Sequence, residues 1–171
     1  MKRLTLLRHA KSNWDHEGVD DLNRPLNERG WKAARRMGKE FKHRGIHFDL
    51  VLASIAARVR ETIDGLEEEF EFDCEIHFEQ QLYLASAETL LSTVRGLSET
   101  VHSPLLVGHN PGLERLVIEL TRDDDHGLRR RVSNKFPTAA LAVIELQAEG
   151  WSDVAPGCGQ VVDLILPKEL A

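Results

Sequence analysis

Four side chains stand out for the chemistry they could do together: Arg8, His9, Arg58 and His109. Arg8 and His9 end the apolar run Leu4-Thr5-Leu6-Leu7 abruptly, as a buried strand would end on a pair of basic groups. Arg58 lies about one turn into the helical segment IAARVRETI, and His109 closes the apolar run SPLLVG, followed by Asn110 and Pro111. A lone histidine at a strand end is commonly structural, and a lone arginine is commonly a surface residue. Four basic groups brought together are different, because like charges repel unless an anion or a buried carboxylate compensates them. The anion that suits two arginine forks, histidine donors and a helix N-terminus is a phosphoryl group, whose oxygens all seek donors during transfer. A histidine there can do more than donate. Its ordinary pKa is ~6.5, neighbouring cations push it lower, and a neutral ring has a nitrogen free to attack phosphorus. Such covalent transfer through His9 needs no metal or other cofactor, and no ligand spacing suggests one: His43 and His47 merely straddle Gly45 at a predicted helix end.

The elements that must hold these groups can be read from periodicity. Short apolar runs at 4–7, 49–54, 74–78 and 103–109 alternate with amphipathic helical patterns at 27–44, 56–70, about 87–97 and 111–121. This βαβα order predicts an α/β fold whose strands are parallel and covered by helices on both faces. In such sheets ligands bind beyond the carboxyl ends of the strands, where Arg8, His9 and His109 fall. Ser54 ends the second strand as a good N-cap for the next helix, and Asn110 with Pro111 suits the start of the fourth. The runs at 138–146 and 160–167 lack a clear helix between them and read as edge strands, at least one of them antiparallel. The charged stretch TRDDDHGLRRR at 121–131 reads as a solvated loop and helix face, or else as a substrate rim.

Composition narrows the partners. A chain of 171 residues with 42% hydrophobic content can fill one core, which predicts a single domain over residues 1–171. The formal net charge of −6, with cations scattered, argues against nucleic acid. Cys74 and Cys158 lie far apart without a Cys-x-x-Cys pattern, so reduced thiols are expected. No apolar stretch approaches the roughly 20 residues of a membrane span, and the N-terminal run is too short for a signal peptide, so a cytoplasmic location is expected.

The segments LLRHAKSNW, RPLNERG, SIAARVRET, GHNPGLE and FPTAAL together resemble the histidine phosphatase superfamily of phosphoglycerate mutase-like fold. Within it they are most similar to the short SixA-type phosphohistidine phosphatases, over roughly residues 3–146. The resemblance implies a three-layer α/β/α sandwich with a mostly parallel sheet and an antiparallel edge strand. It implies that His9 is the phosphorylated nucleophile, that Arg8, Arg58 and His109 complete the catalytic phosphate pocket, and that Ser12 and Asn110 add substrate-binding contacts. Ser54, Arg58 and Thr62 keep the family's spacing, which selects Arg58 over Arg60.

Two departures bear on the substrate. Asp15 follows Trp14 where the mutase branch has Asn, and Leu84 stands where the superfamily often carries a glutamate acid. Glu88, in the first turn of a predicted helix, is the alternative proton donor. An ester needs a proton on its leaving alkoxide, and losing a general acid costs ~10²–10⁴ in rate, whereas imidazole leaves readily. The expected substrate is therefore phosphohistidine on a protein partner, reached through an open pocket with little room for a lid. A phosphatase of small phosphorylated metabolites is the runner-up, and a non-catalytic phosphate-binding module is a third reading.

Overall fold

The computed structural model describes residues 1–14 and 18–170. Eleven elements follow one another: β1 (Lys2–Arg8), α1 (Glu28–Arg44), β2 (Leu50–Ser54), α2 (Ala57–Glu67), β3 (Ile76–Glu79), α3 (Ala87–Arg95), β4 (Pro104–Gly108), α4 (Gly112–Leu120), α5 (Leu128–Asn134), β5 (Leu141–Leu146) and β6 (Gly159–Ile165). The six strands form one sheet in the order β3-β2-β4-β1-β5-β6. β3, β2, β4 and β1 are parallel, β5 runs antiparallel to β1, and β6 runs antiparallel to β5. The reversed strand thus lies one place in from the edge that β6 forms.

Both faces of the sheet are covered, which is why its central strands read as continuous apolar runs. Leu4 and Leu6 of β1 join Leu91 of α3, Leu116 of α4 and Val132 of α5 on one side. Leu7 joins Met37 of α1 and Ile63 of α2 on the other. Successive side chains of a strand point to opposite faces, so one central strand supplies both layers. Among the described residues no helix is long and apolar enough to cross a membrane.

Several local expectations shift. The charged stretch is a largely exposed loop running into the first residues of α5, whose Arg130 and Arg131 face solvent while Val132, just beyond that stretch, is buried. β5 starts at Leu141 and not at 138, because Ala139 takes a left-handed backbone with φ 61° and closes a turn after Pro137. The helix after β2 starts at Ala57 with Ala56 as its N-cap, so Ser54 is not the cap, although its Oγ accepts from Ala56 N at 3.2 Å. α4 begins at Gly112 with Pro111 as N-cap, and Asn110 Oδ1 accepts from Glu114 N at 3.3 Å.

Close approach of α1 to the turn after β1 fixes where that turn runs. A methyl group on Gly30 would lie 2.1 Å from the Lys11 carbonyl oxygen, which also accepts from Asn27 N at 3.0 Å. Gly30→Ala is therefore expected to lose about 1–3 kcal/mol in urea unfolding, the usual cost of overpacking. At Gly96 the nearest atom to such a methyl would be 3.5 Å away, so Gly96→Ala should stay within about 0.5 kcal/mol of the parent.

Candidate active site

Strand register brings the motif residues together. Arg8 pairs with Gly108, and His9 N donates to Gly108 O at 3.0 Å, so the next residues on the two strands, His9 and His109, come out side by side. Their rings lie 5.3 Å apart, centroid to centroid. The turn that carries His9 is pinned from two directions. Ala139 N donates to both Arg8 O and His9 O, and Ala10 N donates to Thr62 Oγ1 at 2.9 Å. Thr62 Oγ1 in turn donates to Arg58 O at 2.6 Å, tying the His9 turn to the helix that bears Arg58.

The proton positions of the two rings follow from their partners. His9 Nδ1 lies 2.7 Å from Ala10 O; a carbonyl can only accept, so Nδ1 carries the hydrogen and Nε2 keeps its lone pair. Burial, with help from His109, Arg58 and Arg8, lowers the His9 pKa to about 3. His109 is set the opposite way round. Arg58 Nη2, which can only donate, lies 3.3 Å from His109 Nδ1, so Nε2 holds the proton and donates to Ser54 Oγ at 2.8 Å. Burial and the Arg58 charge bring the His109 pKa to about 4.

All six residues read from the sequence, Arg8, His9, Ser12, Arg58, His109 and Asn110, line one cavity of about 480 Å³. Arg8 Nη1 and Asn110 Nδ2 both donate to Phe136 O, at 3.1 and 2.8 Å, which joins the ends of β1 and β4 to the lead-in of β5. Arg8 Nε and Arg58 Nε are buried without a hydrogen-bond partner among the described residues, two donors left over inside an otherwise satisfied site. Ser12 Oγ accepts from Arg24 Nη1 and is thereby occupied within the protein. Glu88 is exposed in α3 and is not among the residues lining the cavity, whereas Leu84 lines it and is 55% exposed. Asp15 lies outside the described residues. Among those described, no three His, Cys, Asp or Glu side chains gather as metal ligands would.

Asp21 is the residue that sequence reasoning missed. Its backbone oxygen accepts from Arg58 Nη1 at 2.7 Å, and its Oδ2 accepts from Arg58 Nη2 at 3.0 Å and from the Tyr83 hydroxyl. Oδ1 takes Arg24 Nη2 at 3.0 Å. Desolvation opposes the carboxylate's charge, but the hydrogen bonds from Tyr83 and Arg24 and the charge of Arg58 outweigh it and hold Asp21 at a pKa of about 2. The signal available was the Asp-x-x-Arg spacing of Asp21 and Arg24 on one short turn, an i,i+3 ion pair.

A model of the histidine phosphatase superfamily (branch 1) matches residues 4–83. Uncharacterized protein Rv1276c of Mycobacterium tuberculosis is 33% identical over 164 residues, covering 95% of this chain and 100% of that protein. A candidate phosphohistidine phosphatase SixA from Agrobacterium tumefaciens has a solved structure that is 32% identical and superposes with a TM-score of 0.81, over 97% of this chain and 98% of that one. The chain belongs to the histidine phosphatase superfamily, in its SixA-like group. A second SixA candidate, from Nakamurella multipartitia, superposes with a TM-score of 0.83 at 25% identity, over 97% of this chain and 96% of that one. The six-stranded, mostly parallel sheet with its antiparallel β5 is the phosphoglycerate mutase-like architecture of these phosphatases.

Burial of the two rings makes stability depend on pH. In the unfolded chain each titrates near ~6.5, so between that value and the folded values of about 3 and about 4 the unfolded state binds more protons. Their contribution is full above pH ~6.5 and is lost as pH falls toward the folded values. Urea unfolding at pH 5 and 7 is expected to show a loss of about 1–2 kcal/mol per ring at the lower pH. The double variant His9→Asn, His109→Asn should show a shallower slope; an unchanged slope would contradict the neutral, buried state of both rings.

Proposed function

We propose that this phosphatase removes the phosphoryl group of phosphohistidine on a partner protein, passing it through a phospho-His9 intermediate. His9 Nε2, neutral and with its lone pair free, attacks phosphorus while the bond to the leaving nitrogen breaks. Arg8 and Arg58 donate to the transferring oxygens as charge builds on them, and the arriving anion favours a protonated His109 as a further donor. Water then attacks phospho-His9, the phosphorus–nitrogen bond opens, and the ring regains its lone pair as inorganic phosphate leaves. Ser12 and Asn110 support the substrate through Arg24 and the Phe136 turn.

The observation that carries this choice of substrate is the state of the site's acids. Leu84 lines the cavity where a proton donor would serve an ester, and Asp21, with a pKa of about 2, is ionised and committed to Arg58, Arg24 and Tyr83. A site so equipped handles a leaving group that needs no proton from the protein, because its own second nitrogen can carry one. Imidazole is such a group, an aliphatic alkoxide is not. The SixA candidates among the similar structures agree with this reading. A protein-borne substrate suits a cavity whose rim exposes Trp14 and Leu84, and free Cys74 and Cys158 suit the reducing cytoplasm.

The test uses a histidine-phosphorylated protein carrying radiolabelled phosphate. Brief incubation and quenching should leave acid-labile, alkali-stable label on His9; His9→Ala should stay folded, take no label and release no phosphate. Turnover retained by His9→Ala would overturn the mechanism, and a clear preference of the parent for aliphatic phosphate esters would overturn the substrate. A second expectation concerns the acid itself: Leu84→Glu should raise ester hydrolysis relative to phosphohistidine hydrolysis by about tenfold or more. Parallel assays on both substrates read that ratio directly.

A further inference from the structure

The exposed tryptophan at the rim of the cavity takes no part in the phosphoryl transfer described above. Trp14 lines the same cavity as His9 yet remains 77% exposed, a large apolar surface left in water. It is also held. The Arg24 guanidinium carbon sits 3.6 Å from the centre of its ring, and Arg24 is itself buried and fastened by Ser12 Oγ and Asp21 Oδ1. One indole face is therefore fixed against a side chain whose charge Asp21 offsets, and the rest of the ring is open. With 480 Å³, the cavity has room for the phosphoryl group and for a ring attached to it.

We propose that Trp14 determines the specificity of this site: its open indole face receives the imidazole ring of the phosphohistidine substrate and favours the protonated form of that ring. The proposal rests on the substrate assigned above and adds how the leaving group is recognised. An indole face attracts a cation, and attracts a flat, charged ring by stacking as well. A phosphohistidine ring protonated on its second nitrogen is such a partner. The same proton makes it leave easily. As the His9 Nε2–P bond forms and the substrate P–N bond breaks, the electron pair of the broken bond passes to the ring nitrogen. The other nitrogen already carries its proton, so the ring departs as neutral imidazole and the enzyme delivers none. Holding the protonated ring on Trp14 thus serves the end that a carboxylic acid would serve for an ester, in a cavity where Leu84 is apolar and Asp21 is engaged.

The experiment compares two small phosphoramidates, N-phosphoimidazole with a ring on its leaving nitrogen and phosphoramidate itself, whose leaving group is ammonia. Trp14→Ala is expected to lower kcat/KM on N-phosphoimidazole about tenfold more than on phosphoramidate, with Trp14→Phe recovering most of the difference. The alkaline limb of kcat on N-phosphoimidazole, where the bound ring loses its proton, should move to lower pH in Trp14→Ala. Equal losses on the two substrates, or an unmoved alkaline limb, would overturn the proposal and make Trp14 a prop for Arg24. Failure of the substrate reading itself would be visible earlier, in the parent protein turning over aliphatic esters faster than either phosphoramidate.

Discussion

A guanidinium with 1% of its residue surface exposed is the constraint around which this site is built. Withdrawing a charge of that kind from water costs several kcal/mol unless acceptors replace the lost hydration. Arg58 finds three of them: the backbone oxygen of Asp21, its carboxylate, and Nδ1 of His109. Each acceptor then constrains something else. Asp21 must stay ionised, so it draws in Tyr83 and Arg24; His109 must keep its proton on Nε2, so it needs Ser54. Ser54 can answer because a hydroxyl oxygen accepts twice, from Ala56 N at 3.2 Å and from His109 Nε2 at 2.8 Å, while α2 starts three residues later.

The same logic gives two adjacent histidines opposite proton placements. His9 donates from Nδ1 to its neighbour's carbonyl, whereas His109 accepts at Nδ1 from Arg58. Their low pKa values come first from burial and only then from the cations nearby. A site rich in arginine can therefore hold an uncharged, nucleophilic ring at neutral pH. The two pocket arginine Nε atoms without partners among the described residues, those of Arg8 and Arg58, extend the pattern, since a buried donor with nothing to bind is an unmet demand for an acceptor.

Much of this was legible in the sequence, and for definite reasons. Strand ends and helix starts leave strong marks, so Arg8, His9, Arg58 and His109 could be placed at one sheet edge from periodicity and motif alone. Side chains recruited from irregular backbone left weaker marks. Asp21 and Arg24 sit on and beside a single short turn within the long β1–α1 connection, where no period extends far enough to show which way a side chain faces. Ser54 is not the cap that its propensity suggests, because α2 begins at Ala57 and the hydroxyl serves Ala56 N and His109 Nε2 instead. The helix face at 121–131 was legible from its charges, but the apolar contacts of α5 rest on Leu128 and Val132, too few to set a period.

The antiparallel β5 has a consequence for how the molecule comes into being. The four basic side chains of the pocket all precede residue 110, yet the turn bearing His9 is held by Ala139 N, and β1 is flanked by a strand that begins at Leu141. The first strand to be synthesised thus waits for one of the last before its sheet is complete. Contacts so distant along the chain close slowly, because the intervening loop must first be ordered. A nascent chain long enough to carry all four basic groups still lacks the segment that holds the His9 turn. The pocket is therefore completed only when the C-terminal third is in place, however early its basic groups emerge.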